Sequence, residues 1–209
     1  MASNLSRTPL LRVPPTAEGF EFPTFQLSVK SLILCSMNEK YPEHFLQFYT
    51  ATILEWKPLL HEDKYKDIII ACLQFLVAEK RIRLFAFLIM QNHIHLIWQA
   101  LPGYTPTNIQ HSFMSYTAHQ MKLQLGKDES GLLNNFKVAT KDRSYQFWER
   151  NSLSIDLYTH DVFIQKLNYI HDNPVKAGLC KYPEEYNYSS AKFYEIGIDD
   201  FKMLTNYAE

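Results

Sequence analysis

The feature that most constrains the fold of this chain is a pair of β-rich runs separated by only two residues. Residues 82–90 (IRLFAFLIM) and 93–99 (HIHLIWQ) flank the dipeptide Gln91-Asn92. Two strand-forming runs joined by a two-residue connection with a turn-tolerant Asn are typical of a β-hairpin. We therefore expect the two runs to pair antiparallel, so any fold of this chain must contain an antiparallel sheet.

Strand and helix signals also surround this hairpin. A β-rich run at residues 45–54 is followed at residues 63–80 by a helical pattern with an acidic start and a basic end, which suit the helix dipole. After the hairpin, Thr105 and Pro106 begin a second helical stretch that ends at Gly126. These signals predict the order strand, helix, strand, strand, helix.

The remaining segments are predicted with the same rules. A polar loop covers residues 127–135, and an irregular or strand-like segment runs from there to about Arg150. A third helix begins at about Asp161 and should end at Pro174, because proline disfavours helical geometry in the residue before it. The complete order is that of a ferredoxin-like split βαβ fold of the α+β class, an antiparallel sheet with helices on one face.

Composition excludes several classes of protein. The 209 residues include 21 basic and 22 acidic ones, and 46% are hydrophobic, which rules out a disordered polar chain and a histone-like binder. No apolar run approaches the ~20 residues that span a bilayer. The three cysteines lack the number and spacing of a disulfide framework, and no signal peptide is recognised. We expect a soluble, cytoplasmic protein.

Two terminal regions differ from the middle of the chain. Residues 1–36 hold four of the ten prolines and show no sustained periodicity, so we expect a poorly structured N-terminal extension. Residues 37–209 are then a single domain. Its last part, 184–209, is acidic, with six carboxylates against two lysines.

His93 and His95 form the first candidate site. Side chains two residues apart on a strand point to the same face, so both imidazoles can converge on one divalent ion while Ile94 packs on the other side. The alternative is a chance pair of packing histidines, since eight histidines make one such pair unsurprising.

A tyrosine and an asparagine near the end of the third helix form the second candidate. Tyr169 and Asn173 are four residues apart and can share one helix face, whereas His171 lies roughly opposite Tyr169. A hydroxyl nucleophile and an amide oxygen ligand would thus arrive together, but a tyrosine needs a nearby cation or base to attack phosphorus at neutral pH. The alternative is that Tyr169 simply packs the helix against the sheet.

Basic and aromatic residues alternate between positions 137 and 150. Positive charges beside aromatic rings suit single-stranded nucleic acid, because phosphates meet the charges and unstacked bases meet the rings. A solvated face over an ordinary core is the alternative. The candidate nucleic-acid contacts, with one further lysine after the tyrosine motif, are Lys137, Lys141, Arg143, Trp148, Arg150 and Lys176.

Four segments resemble one family when they are taken in order. They are MQNHIHLIW at residues 90–98, FWERN at 147–151, YIHDNPVKAGL at 169–179 and YNYSSAKFY at 186–194. Over residues 45–194 the chain resembles the REP-associated tyrosine transposases, a branch of the HUH single-strand DNA transposases with one catalytic tyrosine. Gln91 stands where the family usually has a proline, and residues 1–36 have no recognised counterpart.

The resemblance implies a function and a set of site residues. His93 and His95 would bind a divalent metal ion, Mg²⁺ or Mn²⁺, with Asn173 completing the site and His171 as a weaker alternative ligand. Tyr169 would attack single-stranded DNA near a hairpin and form a 5′-phosphotyrosine link. Family branches differ in whether the site lies within one chain or is shared in a homodimer, so both arrangements stay open.

Two other functions remain open on the sequence alone. A domesticated protein would recognise DNA hairpins without cutting them. A metal-dependent phosphodiesterase would cut with activated water and release a free 5′-phosphate instead of protein-linked DNA.

Overall fold

The computed structural model describes residues 44–128 and 131–207. The expected N-terminal extension, 1–36, lies outside these residues. Within them, no helix is both long enough and apolar enough to cross a membrane.

The described residues form one sheet and four α-helices. Three of the four strands and the three long helices lie close to the predicted positions, and short 3₁₀ turns connect several of them. The elements are β1 (Leu46–Thr52), α1 (Asp63–Ala78), β2 (Ile82–Ile89), β3 (His93–Ala100), α2 (Pro106–Lys127), β4 (Leu153–Leu157), α3 (His160–Lys176) and α4 (Ala191–Ile196).

The sheet is antiparallel and has the order β2-β3-β1-β4. The predicted hairpin is confirmed, since Ile89 of β2 lies opposite Ile94 of β3 and the Met90 N–H donates to the His93 carbonyl over 2.8 Å. Non-consecutive strands β3 and β1 lie side by side at the centre, as in the predicted ferredoxin-like plan. The α+β fold class is therefore confirmed.

Helices cover both faces of the sheet, where the sequence predicted one. Alternate side chains of each strand enter two separate cores. The larger core packs α1 and α2 on one face, around Leu73, Trp98 and Phe113. The smaller core packs α3 on the other face, around Phe48 and Leu167. Helix periodicity shows which stripe of a helix is apolar but not which face of the sheet it covers.

The fourth strand lies later in the chain than predicted. The segment before Arg150 makes only isolated bridges, such as Ile53 with Trp148, whereas β4 begins at Leu153 and pairs with β1. Because β4 is a short edge strand of which only Leu157 is buried, its hydrophobic signal is weak.

The prediction that Pro174 ends the third helix is wrong. Pro174 lies inside α3, and the helix ends after Lys176. Beyond it, Gly178 adopts φ +70°, its N–H bonds the Val175 carbonyl, and the Leu179 N–H bonds the Pro174 carbonyl. This is the Schellman arrangement that a glycine after a helix permits, so Gly178 sets the helix end.

Candidate active site

The pairing of β1 with β3 fixes the position of both histidines of the HIH segment. Thr50 lies opposite His95, and Thr52 lies opposite His93. The two imidazole rings have centroids 4.9 Å apart on the sheet face that α3 covers. His95 is buried and stacks on Phe48 at 5.4 Å, while His93 is only partly buried. The two rings therefore form one group that opens toward solvent at His93.

Neighbouring side chains orient each ring. Nδ1 of His93 donates to Oδ1 of Asn92 over 2.7 Å, and Nδ1 of His95 bonds the Thr50 hydroxyl over 2.8 Å. Nε2 of His95 faces Nδ2 of Asn173 at 3.4 Å, which suits an acceptor. Partners on Nδ1 leave the Nε2 lone pair of each ring free to bind another group.

Burial keeps both rings uncharged. Desolvation lowers the pKa of His93, and it lowers the pKa of His95 to about 3, with smaller contributions from His93 and Lys166. A metal ion binds a neutral imidazole, so no proton has to leave before an ion binds. Two neutral rings beside an amide are a donor set that fits a divalent cation.

Helix α3 brings Tyr169 and Asn173 to the same place. The helix packs on the smaller core through Phe163, Leu167 and Ile170. Tyr169 remains 47% exposed, and its ring lies edge-on to His95 with centroids 5.3 Å apart. The structure thus brings together His93, His95, Tyr169 and Asn173, which belong to two separate elements.

Lys166 is a member of this cluster that the sequence analysis missed. Its Nζ lies 4.9 Å from the centroid of the Phe48 ring and 6.0 Å from that of Tyr169. The available signal was its position three residues before Tyr169, one helical turn away on the same face. Lys166 thus places a positive charge near the Tyr169 ring.

His171 lies on another side of α3. It is buried, its Nε2 bonds the Ser190 hydroxyl over 2.9 Å, and that hydroxyl also accepts the Phe87 N–H over 3.1 Å. Burial lowers the pKa of His171 to about 4. Its Nε2 is therefore engaged in joining α3 to the segment before α4.

The candidate DNA contacts between residues 137 and 150 do not form one aromatic surface. Trp148 is 5% exposed and donates its Nε1–H to the Thr117 hydroxyl over 3.0 Å, so its ring offers no face for a base. This part of the interpretation fails because residue spacing alone does not show which side of an irregular segment faces the core.

The candidate cations are exposed but lie next to carboxylates in several cases. Arg143 and Arg150 both approach Asp142, at 2.6 and 3.6 Å, beside a groove of about 630 Å³ along α2. Lys176 pairs with Asp172 at 3.2 Å. Lys137 and Lys141 are exposed. Three of the five candidate cations thus lie within 4 Å of a carboxylate oxygen.

The donor set is incomplete without a further partner. Within residues 44–128 and 131–207, no three His, Cys, Asp or Glu side chains are close enough to hold a metal ion together. His93, His95 and the Asn173 amide would leave coordination positions open, as expected of a catalytic metal site that also contacts substrate.

Comparisons with known proteins agree with the geometry. Residues 52–150 match the model of the family described as transposase IS200 like. A solved structure of a REP-associated tyrosine transposase bound to a REP hairpin is similar in fold, with a TM-score of 0.55 and 16% identity over 82% of this chain and 92% of that one. No curated protein sequence matches the chain.

A second solved structure is less similar. It comes from Deinococcus radiodurans R1, is described provisionally as a transposase, and has a TM-score of 0.43 and 14% identity over 65% of this chain and 95% of that one. The family match and the first structure confirm the predicted resemblance. Residues 52–150 are therefore similar to the IS200-like transposases, and the chain shares its fold with a REP-associated tyrosine transposase.

Proposed function

We propose that this transposase cuts and rejoins single-stranded DNA through a covalent link to Tyr169. The observation that supports the proposal most strongly is the meeting of an exposed tyrosine with two neutral histidines. The Tyr169 ring lies 5.3 Å from that of His95, between solvent and the sheet. A tyrosine that only packed α3 on the sheet would not need to be 47% exposed.

The reaction exchanges one phosphoester bond for another. The Tyr169 Oη forms a bond to phosphorus while the bond from phosphorus to the 3′ oxygen of the preceding nucleotide breaks. The phenol loses its proton, and the departing oxygen gains one to become a free 3′-hydroxyl. Lys166 places a positive charge near the Tyr169 ring, where it would stabilise negative charge that develops during the transfer. The reverse attack by a 3′-hydroxyl rejoins DNA without ATP.

A divalent ion, Mg²⁺ or Mn²⁺, would be held by Nε2 of His93, Nε2 of His95 and the Asn173 side-chain oxygen. When bound, such an ion polarises a phosphoryl oxygen as a Lewis acid. Asn173 has its amide nitrogen toward His95 in the structure, and rotation about its terminal bond would turn the oxygen inward. Asn92 holds the His93 ring in the tautomer that this requires, and the Thr50 hydroxyl orients the His95 ring.

We also propose that the substrate is DNA with a hairpin beside the cut. Support comes from the similar transposase, which is described as bound to a REP hairpin. Lys137, Lys141, Arg143, Arg150 and Lys176 remain candidate phosphate contacts. Because several of these cations are paired with carboxylates, we expect binding to be modest and salt-sensitive.

A denaturing gel tests the mechanism directly. Hairpin DNA with single-stranded flanks is incubated with protein and Mg²⁺ or Mn²⁺, labelled at either end in separate reactions. The 3′ label should move with the protein, and the 5′ label should appear in a shorter fragment with an extendable 3′-hydroxyl. Tyr169→Phe should abolish both products, whereas Tyr182→Phe, which removes a hydroxyl from a tyrosine of similar exposure, should not.

The other outcomes separate the alternatives. Cutting that leaves a free 5′-phosphate and no protein-linked DNA, or an adduct that persists in Tyr169→Phe, would contradict a tyrosine nucleophile. Hairpin binding without any cutting in either metal would indicate a binding protein.

A further inference from the structure

Trp56 occupies an unusual position beside the histidine pair. It lies in the turn that follows β1, its side chain is 61% exposed, and its ring meets the His93 ring edge-on with centroids 5.7 Å apart. The other two tryptophans of the chain, Trp98 and Trp148, are 2% and 5% exposed. Exposing a ring of this size forgoes a large hydrophobic gain.

The backbone that presents Trp56 is strained. Glu55 and Trp56 have φ values of 55° and 56°, and neither is a glycine. Two consecutive residues in the left-handed region cost free energy and persist only where the surroundings hold them. The turn is therefore a built feature rather than a relaxed loop.

Specific contacts hold this turn against the active site. The Glu55 N–H donates to Oε1 of Glu149 over 2.7 Å. Asn92 donates its Nδ2–H to the Trp56 carbonyl over 3.3 Å, and its Oδ1 accepts the Nδ1–H of His93 over 2.7 Å. One amide thus fixes the Trp56 backbone and the His93 ring relative to each other.

We propose that Trp56 is a stacking platform for one unpaired nucleobase next to the phosphate that is cut. This inference rests on the proposed function, since it takes the DNA phosphate to lie at His93 and Tyr169. In a nucleotide that adjoins this phosphate, the base is separated from the phosphate by one sugar. The exposed Trp56 ring beside His93 is placed where such a base would contact it. Stacking on tryptophan is tolerant of base identity, so the platform would fix the position of the strand rather than read its sequence.

Intrinsic fluorescence gives a direct test, because Trp56 is the exposed member of three tryptophans. The protein carries Tyr169→Phe so that binding is measured without cutting, and DNA binding is followed separately by fluorescence anisotropy of a labelled hairpin with single-stranded flanks. Binding should quench the emission of Trp56 and protect it from acrylamide. When Trp56→Phe is added to the Tyr169→Phe protein, DNA binding should no longer quench the tryptophan emission. Emission and acrylamide access that stay unchanged while DNA binds would overturn the proposal, and so would failure to bind this DNA.

Cleavage variants give the functional test. Trp56→Ala should slow adduct formation by about tenfold, while Trp56→Phe, which keeps a ring, should recover most of the rate. Tyr158→Ala is the matched control, since Tyr158 is exposed and follows β4 near Leu46, at the opposite end of β1 from His93. Equal rates for Trp56→Ala and wild type would contradict the proposal. Absence of an adduct in wild type would instead contradict the tyrosine mechanism, and the binding assay would still report on Trp56.

Discussion

Two histidines, His95 on β3 and His171 on α3, are both buried, but their ring nitrogens have different hydrogen-bond partners. Burial lowers the pKa of His95 to about 3 and that of His171 to about 4, so both are neutral. The Nδ1 of His95 is bonded to Thr50 and its Nε2 is turned toward Asn173, whereas the Nε2 of His171 is bonded to Ser190. Burial alone therefore does not distinguish the two rings. The partners of their Nε2 atoms do, since that of His95 faces the proposed ligand Asn173 and that of His171 faces Ser190.

The largest effect should come from removing the His95 ring. His95→Asn deletes the proposed ligand nitrogen, so adduct formation should fall by more than about 100-fold, beyond the loss typical of an outer partner. The rate is measured on labelled hairpin DNA with saturating Mn²⁺. His171→Asn is the matched control and should keep a rate close to wild type at a temperature where it is folded. A similar loss in both variants would remove the distinction between the two histidines.

The next effect should come from the partner that orients His95. Thr50→Val removes the hydroxyl on Nδ1 while keeping the shape of the side chain, so the ring loses the hydrogen bond that holds its orientation. We expect the affinity for the metal ion to fall by about 10- to 100-fold. The measurement is the Mn²⁺ concentration that gives half-maximal cutting, which should rise. Excess metal should restore much of the rate. An unchanged Mn²⁺ requirement would mean that Thr50 does not orient His95 for metal binding.

Removing the cation beside Tyr169 should have a smaller effect. Lys166→Met keeps an unbranched side chain over Phe48 but removes the charge, so adduct formation at neutral pH should fall by about tenfold. Lys127→Met, on an exposed lysine of α2 that is not among the candidate DNA contacts, is the control. Equal rates for both variants would assign Lys166 a packing role.

The smallest effect on activity, but a clear effect on stability, should come from His171→Asn. The change breaks the bond to Ser190 and leaves a buried hydroxyl with one partner fewer. The free energy of unfolding should fall by about 1–3 kcal/mol, measured by urea denaturation. Wild-type stability together with lost cutting would instead place His171 in the reaction.

Local sequence patterns were sufficient to predict much of the fold and of the site. The two-residue turn predicted the hairpin, period-two geometry placed His93 and His95 on one face, and helical spacing placed Tyr169 beside Asn173. These inferences needed only neighbours along the chain. The strand order followed from the order of elements.

Features that depend on tertiary packing could not be predicted in this way. The basic and aromatic run around Trp148 suggested a DNA surface, yet its indole lies in the larger core and bonds Thr117. Lys166 and Trp56 gain their significance from elements far away in the chain, Phe48 and His93. Whether Pro174 ends the third helix could not be predicted from the proline alone, because the helix end also depends on Gly178.

The register of β3 also limits which changes in chain length the protein can tolerate. β3 has a paired neighbour on each side, and its alternate residues Ile94, Leu96 and Trp98 fill the larger core. Inserting one residue into the turn between β2 and β3 would move each side chain of β3 to the opposite face of the sheet, unless a β-bulge accommodated the extra residue. The imidazoles would then enter the apolar core, and three large apolar side chains would face α3. The length of a two-residue turn is thus as much a part of this active site as the histidines that follow it.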